Sequence, residues 1–167
     1  FLSILKLKGH NLPILLEKFK SKISILILGF GREGQSTLEF LKKYFPDKQI
    51  GTADQKEGNN YLEKLKDFDV IIKSPGIPYL PEITKAREKG KIITSITQVF
   101  FDLFEGKIIG VTGTKGKSTT ASLIYEVLKS GGLNVNLVGN IGKPALDLLE
   151  EISEDSIVVY ELSSFQL

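Results

Sequence analysis

Twice along these 167 residues an apolar, strand-like run breaks into a glycine-rich turn and resumes at helical spacing. A turn of this kind aims several backbone N–H groups at one spot, at the positive end of a helix, and so makes a place for an anion. The first instance is Ile23–Leu28, then Gly29-Phe30-Gly31-Arg32-Glu33-Gly34, then helical spacing from Gly34 to Tyr44. The second is Lys107–Thr112, then Gly113-Thr114-Lys115-Gly116-Lys117-Ser118-Thr119, with a helix predicted over Ser118–Ser130.

Between and after these turns the alternation continues. Strands are predicted at Gln49–Ala53, Val70–Lys73, Ile92–Thr94, Asn134–Val138 and Ser156–Leu162. Helices are predicted at Tyr61–Lys66, Pro81–Lys89, Thr97–Phe104 and Pro144–Glu151, the last with proline suited to a first turn. Regular strand–helix alternation argues α/β with parallel sheets, and two glycine turns argue two sheets. The expected fold is a Rossmann-like parallel-sheet domain over 23–106, followed by the start of a phosphate-loop (P-loop) α/β ATPase-like domain over 107–167. Residues 1–22 form a separate lead, in which Leu12, Leu15, Leu16 and Phe19 sit at helical spacing. It reads as a short helix or arm rather than a membrane element.

Composition narrows the function. Residues 1–22 hold five lysines and one glutamate, so the net charge of +2 conceals a remainder at −2. A broad basic face for nucleic acid is not supported. No apolar run is long enough to span a bilayer, and no signal peptide is evident. Zero cysteines exclude disulfides and thiolate metal sites and fit a reducing cytoplasm, which is the expected location. A single histidine, His10, excludes a histidine-based metal cluster or catalytic triad within the chain. The chain begins at Phe1, lacks methionine and stops directly after a strand-like run, so it reads as part of a longer protein.

The second turn has what a nucleotide triphosphate needs. Glycines let the backbone curl around phosphate oxygens, Lys117 supplies a point charge, and Ser118 offers a hydroxyl to a phosphate-bound magnesium. The usual G-x-x-x-x-G-K-[ST] spacing wants glycine at Val111; the shorter G-x-x-G-K-S form stands here instead. The run Ile157-Val158-Val159-Tyr160-Glu161 ends in the acid that phosphoryl transfer requires near its magnesium. Gly139-Asn140-Ile141-Gly142 is predicted on the same edge, where the Asn140 amide could donate to a carboxylate or phosphate, or simply fill a turn.

The first turn fits the dinucleotide fingerprint, with Asp54 placed 20 residues beyond Gly34 as the ribose acid. The same geometry holds any diphosphate, and the ATP-type loop in the same chain argues against a nicotinamide cofactor. Ser74-Pro75-Gly76 follows a buried strand and so falls on the ligand side of the sheet, as a pocket wall or a rigid turn.

GTKGKSTT, VGNIGKPAL and YELSSFQL, behind a G-x-G-x-x-G domain with SPGIP, together resemble the Mur ligases, the ATP-dependent amino-acid ligases of peptidoglycan synthesis. The resemblance covers Ile23–Leu167, and the SSFQL ending is most like the member whose substrates are UDP-N-acetylmuramoyl-L-alanine and D-glutamate. It implies a UDP-sugar diphosphate on Gly29, Gly31, Arg32, Glu33 and Gly34. Asp54, Gln55 and Lys56 would stand near the uridine, and Ser74, Pro75 and Gly76 would complete that pocket. ATP would bind Gly113, Thr114, Lys115, Gly116, Lys117, Ser118 and Thr119, with Mg2+ at Ser118 and Glu161. Lys117, Asn140 and Glu161 would act in catalysis, and Asn140, Ser163 and Gln166 would face the muramoyl-alanine end. The family's carbamylated lysine, a histidine and the amino-acid-binding domain would follow Leu167, so the chain alone is expected to bind without ligating. The alternatives are a nucleotide-sugar binding module and an NAD-binding Rossmann regulator.

Overall fold

The computed structural model describes residues 24–139 and 141–163. The expected lead helix, Asn140, Gln166 and the Phe165–Leu167 ending lie outside the described residues.

Four strands form the first sheet: β1 (Ile25–Leu28), β2 (Ile50–Ala53), β3 (Val70–Lys73) and β4 (Ile92–Ser95), all parallel, in the order β2-β1-β3-β4. β1 is Ile-Leu-Ile-Leu with every residue fully buried, as expected for an inner parallel strand covered on both faces. The chain leaves β1 for β2 on one side and returns to β3 on the other. That reversal opens a crevice at the carboxyl ends of β1 and β3, where Gly29 and Ser74 follow.

The second sheet comprises β5 (Lys107–Val111), β6 (Val135–Gly139) and β7 (Ile157–Glu161), parallel, in the order β5-β7-β6. The last strand in sequence is thus the middle one in space, and Glu161 pairs with Val111 on one side and Gly139 on the other.

Among the described residues five helices cover the sheets: α1 (Arg32–Tyr44), α2 (Pro81–Glu88), α3 (Ile96–Leu103), α4 (Lys117–Ser130) and the short α5 (Ala145–Leu148). Alternate residues of β1 serve opposite faces. Leu26 and Leu28 join Ile71, Phe68 and Ile83 in one core. Ile25 and Ile27 join Phe40, Ile72 and Phe100 in another, which continues without a break into Leu146, Val158 and Tyr160 of the second sheet's side. α4 covers a third cluster of Val111, Ala121, Val135 and Val159.

Two expected helices differ. Pro144–Glu151 shrinks to Ala145–Leu148, with Pro144 extended at the N-cap (ψ 138°) rather than inside the first turn. Beyond it the backbone tightens, and the Glu151 amide donates to Leu148 O at 2.9 Å. Tyr61–Lys66 is a 3₁₀ turn, Tyr61–Asp67, with one buried residue, Leu65. A second 3₁₀ turn, Gln55–Glu57, was hidden behind Asp54, whose side chain caps it. The remaining elements stand within two residues of their expected ends.

Candidate functional site

The first turn is tied from three sides. Gly29 N–H donates to Ala53 O (2.8 Å), and the Ser74 hydroxyl donates to Gly29 O (2.5 Å). The Phe30 amide donates to Asp54 Oδ2 (2.6 Å), while Asp54 Oδ1 accepts from the Lys56 amide (3.0 Å). These Lys56 and Phe30 amides hold the Asp54 carboxyl below its usual range. Gly34 lets α1 approach the turn: a Cβ there would lie 2.3 Å from Gly29 O. α1 follows Gly31 as its N-cap, with no side-chain cap, so its first amides are left for another acceptor.

A cavity of about 450 Å³ opens at this turn. Gly29, Gly31, Arg32, Glu33, Gly34, Asp54, Gln55, Ser74, Pro75 and Gly76 line it, together with Ile77 and Gly139. Lys56 is exposed and is not among the lining residues. Ser163 reaches the same neighbourhood, its hydroxyl 3.5 Å from Pro75 O. Glu33 turns its carboxylate away from solvent: both oxygens are buried and neither has a well-formed hydrogen bond. Burial pushes this carboxyl up to about 7, against the lowering influence of the Ala145 amide and Arg32, with Asp147 adding to the rise.

At the second turn, Gly116 takes a left-handed conformation (φ 76°) and starts α4. Thr114, Lys115 and Thr119 are exposed around it. Lys117 Nζ donates across the loop to Gly113 O at 2.8 Å. The Ser118 hydroxyl donates to Glu161 Oε1 at 3.1 Å. Glu161 is only 3% exposed, and its Oε2 is buried with no hydrogen-bond partner. This is not a solvated strand-end charge. A hydroxyl and an orphaned carboxylate oxygen form an oxygen-only donor set that suits magnesium completed by phosphate and water. Among the described residues no group of three or more His, Cys, Asp or Glu could hold a metal alone.

Gly139 connects the two places. It ends β6 beside Glu161 and also lines the cavity of the first turn. Only glycine fits: φ is 108°, and a Cβ would stand 2.3 Å from Glu161 O. Sequence reasoning placed the Gly139–Gly142 turn beside the phosphate loop but did not bring it to the first cavity. The signal was indirect, a strand-end glycine before Asn140.

Two parallel sheets carry glycine turns at their strand ends in this α/β protein, and a cavity lined by residues of both parts opens there; turns of this kind suit phosphate groups. The likeness of this chain is to the Mur ligases: residues 111–167 match the Mur ligase middle domain. The chain is 40% identical over 158 residues to the UDP-N-acetylmuramoylalanine--D-glutamate ligase of Clostridium botulinum (strain Okra / Type B1), covering 94% of this chain and 33% of that protein. The enzyme of the same name from Acetivibrio thermocellus is 39% identical over 174 residues, 91% of this chain and 37% of the relative. That from Symbiobacterium thermophilum is 47% identical over 111 residues, 66% of this chain and 24% of the relative. The chain thus spans about a third of the length of the first two relatives. Among the described residues no helix is long and apolar enough to cross a membrane.

Proposed function

We propose that this chain is the substrate-gathering part of an ATP-dependent carboxylate–amine ligase of peptidoglycan precursor synthesis, working in the cytoplasm. The reaction is the addition of D-glutamate to UDP-N-acetylmuramoyl-L-alanine. Residues 23–106 form the UDP-sugar domain and 107–167 begin the ATP-binding domain.

The observation that carries this reading is Gly139, which stands beside Glu161 and lines the Gly29–Gly34 cavity. A diphosphate on the first turn and a triphosphate on the second then share one edge. Asp54 shapes this pocket's wall, since its two oxygens accept from the Phe30 and Lys56 amides. Gln55, Ser74, Pro75 and Gly76 complete the first pocket. Asn140, Ser163 and Gln166 serve the muramoyl-alanine end.

A carboxylate is a poor electrophile, and this sets the order of events. The γ-phosphoryl group of ATP passes to the substrate carboxylate oxygen, leaving ADP and an acyl phosphate. The amine of D-glutamate attacks the acyl carbon and loses a proton, and inorganic phosphate leaves. Lys117, held against the loop by Gly113 O, supplies fixed positive charge for this meeting of anions. Magnesium held by Ser118 and Glu161 would supply further neutralisation of phosphate oxygens. Glu161, anchored by Ser118 and by its place in the middle strand, keeps an oxygen turned to that role.

Glu161→Gln keeps the shape and removes the charge. Calorimetric titration with Mg·ATP is expected to show affinity falling roughly tenfold or more, with the melting curve retained. Unchanged affinity would contradict the assignment. With all substrates present the chain alone is expected to release no phosphate, because the rest of the ligase is needed for turnover.

A further inference from the structure

The face of α1 that meets α5 is polar at intervals. Ser36 donates to Asp147 Oδ1 at 2.5 Å, Tyr44 donates to Glu150 Oε1 at 2.6 Å, and Lys43 pairs with Glu150. Phe40 fills the space between, in the core shared by the two sheets. Glu33 stands one turn before Ser36 and Thr37, at the cavity end of this seam. It differs from the other acids there: its two oxygens are buried and lack well-formed partners.

The groups facing it are few. From α5 come the Ala145 amide and the Asp147 carboxylate, from β7 the Tyr160 phenol, and from its own helix Arg32. Asp147 is an acid held by Ser36, and Tyr160 is a buried phenol pushed up to about 12 by burial. A protonated Glu33 is neutral and can donate a hydrogen bond. An ionised Glu33 is a buried charge beside a second carboxylate, offset only by Arg32 and one amide.

We propose that Glu33 is a proton-operated joint between the two sheets, closed when its carboxyl is protonated and loosened when it ionises. Its position gives the joint a consequence. Glu33 on α1, which packs on the first sheet, and Gly139 at the end of β6 in the second sheet line the same cavity, so loosening the seam changes the gap across which a ligand is held. Glu33 is thus a positioning residue, whatever molecule occupies the cavity.

The sign follows from linkage. An acid whose folded-state value is raised to about 7 stabilises the closed form fully below the unfolded value of 4.5. That contribution is lost as pH rises through about 7.

The absence of cysteine allows a direct test. Spin labels at E39C and E126C, both exposed, one on α1 and one on α4, report the separation of the sheets. Imidazole side chains ordinarily change charge in this pH range, so each sample also carries H10N. Distances are measured at about pH 5.5 and about pH 8.5, on either side of the raised value. The chain with Glu33 is expected to give one narrow distribution at the lower pH and a longer or broader one at the higher. Glu33→Gln is expected to keep the narrow distribution at both. If the distribution with Glu33 does not change with pH, or if Glu33→Gln changes equally, the proposal is overturned. The first comparison uses the unsubstituted residue, so it decides even where Glu33→Gln folds poorly.

Discussion

Two carboxylates with the same textual position, each closing a strand, do different work. Asp54 is spent on the backbone: it accepts from the Phe30 and Lys56 amides and so fixes both the glycine turn and the 3₁₀ turn after it. Asp54→Ala is expected to cost about 1–2 kcal/mol in urea unfolding, the range for a lost cap plus an unsatisfied amide. Because its carboxyl is held below the usual range, this stabilisation is full above the unfolded value and fades as pH falls through the depressed one. Unfolding curves taken in acid should therefore differ less between Asp54 and Asp54→Ala than those taken near neutrality. Glu161, by contrast, keeps one oxygen unspent in a buried place, as expected of a group waiting for a cation. Sequence alone could not separate these two acids, because what distinguishes them is who reaches them across the fold. Phe30 lies 24 positions from Asp54, and Ser118 lies 43 from Glu161.

At the scale of elements, strands were the legible part. Fully apolar runs such as Ile25–Leu28 and Val70–Ile72 announce inner parallel strands, and the glycines after them announce turns. The short helices were less legible. In Ala145–Leu149 nearly every residue is buried, so no single stripe marks its length, and the helix ends where the chain is gripped on two sides by α1 and α3. Gly139 shows the same limit at a site. Its left-handed conformation could be suspected from its place at a strand end, but its part in a cavity built on the other sheet depends on how the sheets meet. Gly139→Ala introduces both a positive-φ penalty and a contact of 2.3 Å with Glu161 O. We expect a loss of about 2–4 kcal/mol, measured by thermal melting, and a weaker nucleotide complex from the displaced Glu161. A melting point equal to that of the unsubstituted chain would mean that the β6 end is free to move.

Seen whole, the described residues are joined by one apolar core that runs from β1 through Phe100 to Tyr160. Phe100 packs its ring edge-on to Tyr160 at 5.6 Å and stacks on Phe104 at 5.5 Å. Phe100→Ala is therefore expected to cost about 3–5 kcal/mol and to weaken both sheets together. Two separate melting transitions, with only one shifted, would contradict a shared core. On the proposed function, this arrangement lets two glycine turns that are far apart in sequence serve one reaction. Each lies at the carboxyl edge of its sheet, and the common core fixes the edges relative to each other.

We propose that the first turn holds a sugar-nucleotide diphosphate while the second holds ATP. Calorimetric titration of the chain with UDP-N-acetylmuramoyl-L-alanine, repeated in the presence of NAD and after Gly31→Asp, tests it most directly. Gly31 has open space around its Cα, so the substitution adds a carboxylate to the cavity without a steric clash. Saturable binding of the sugar nucleotide is expected, with no competition from NAD and a large loss of affinity in Gly31→Asp with the melting curve kept. Displacement by NAD, or unchanged affinity in Gly31→Asp, would contradict it.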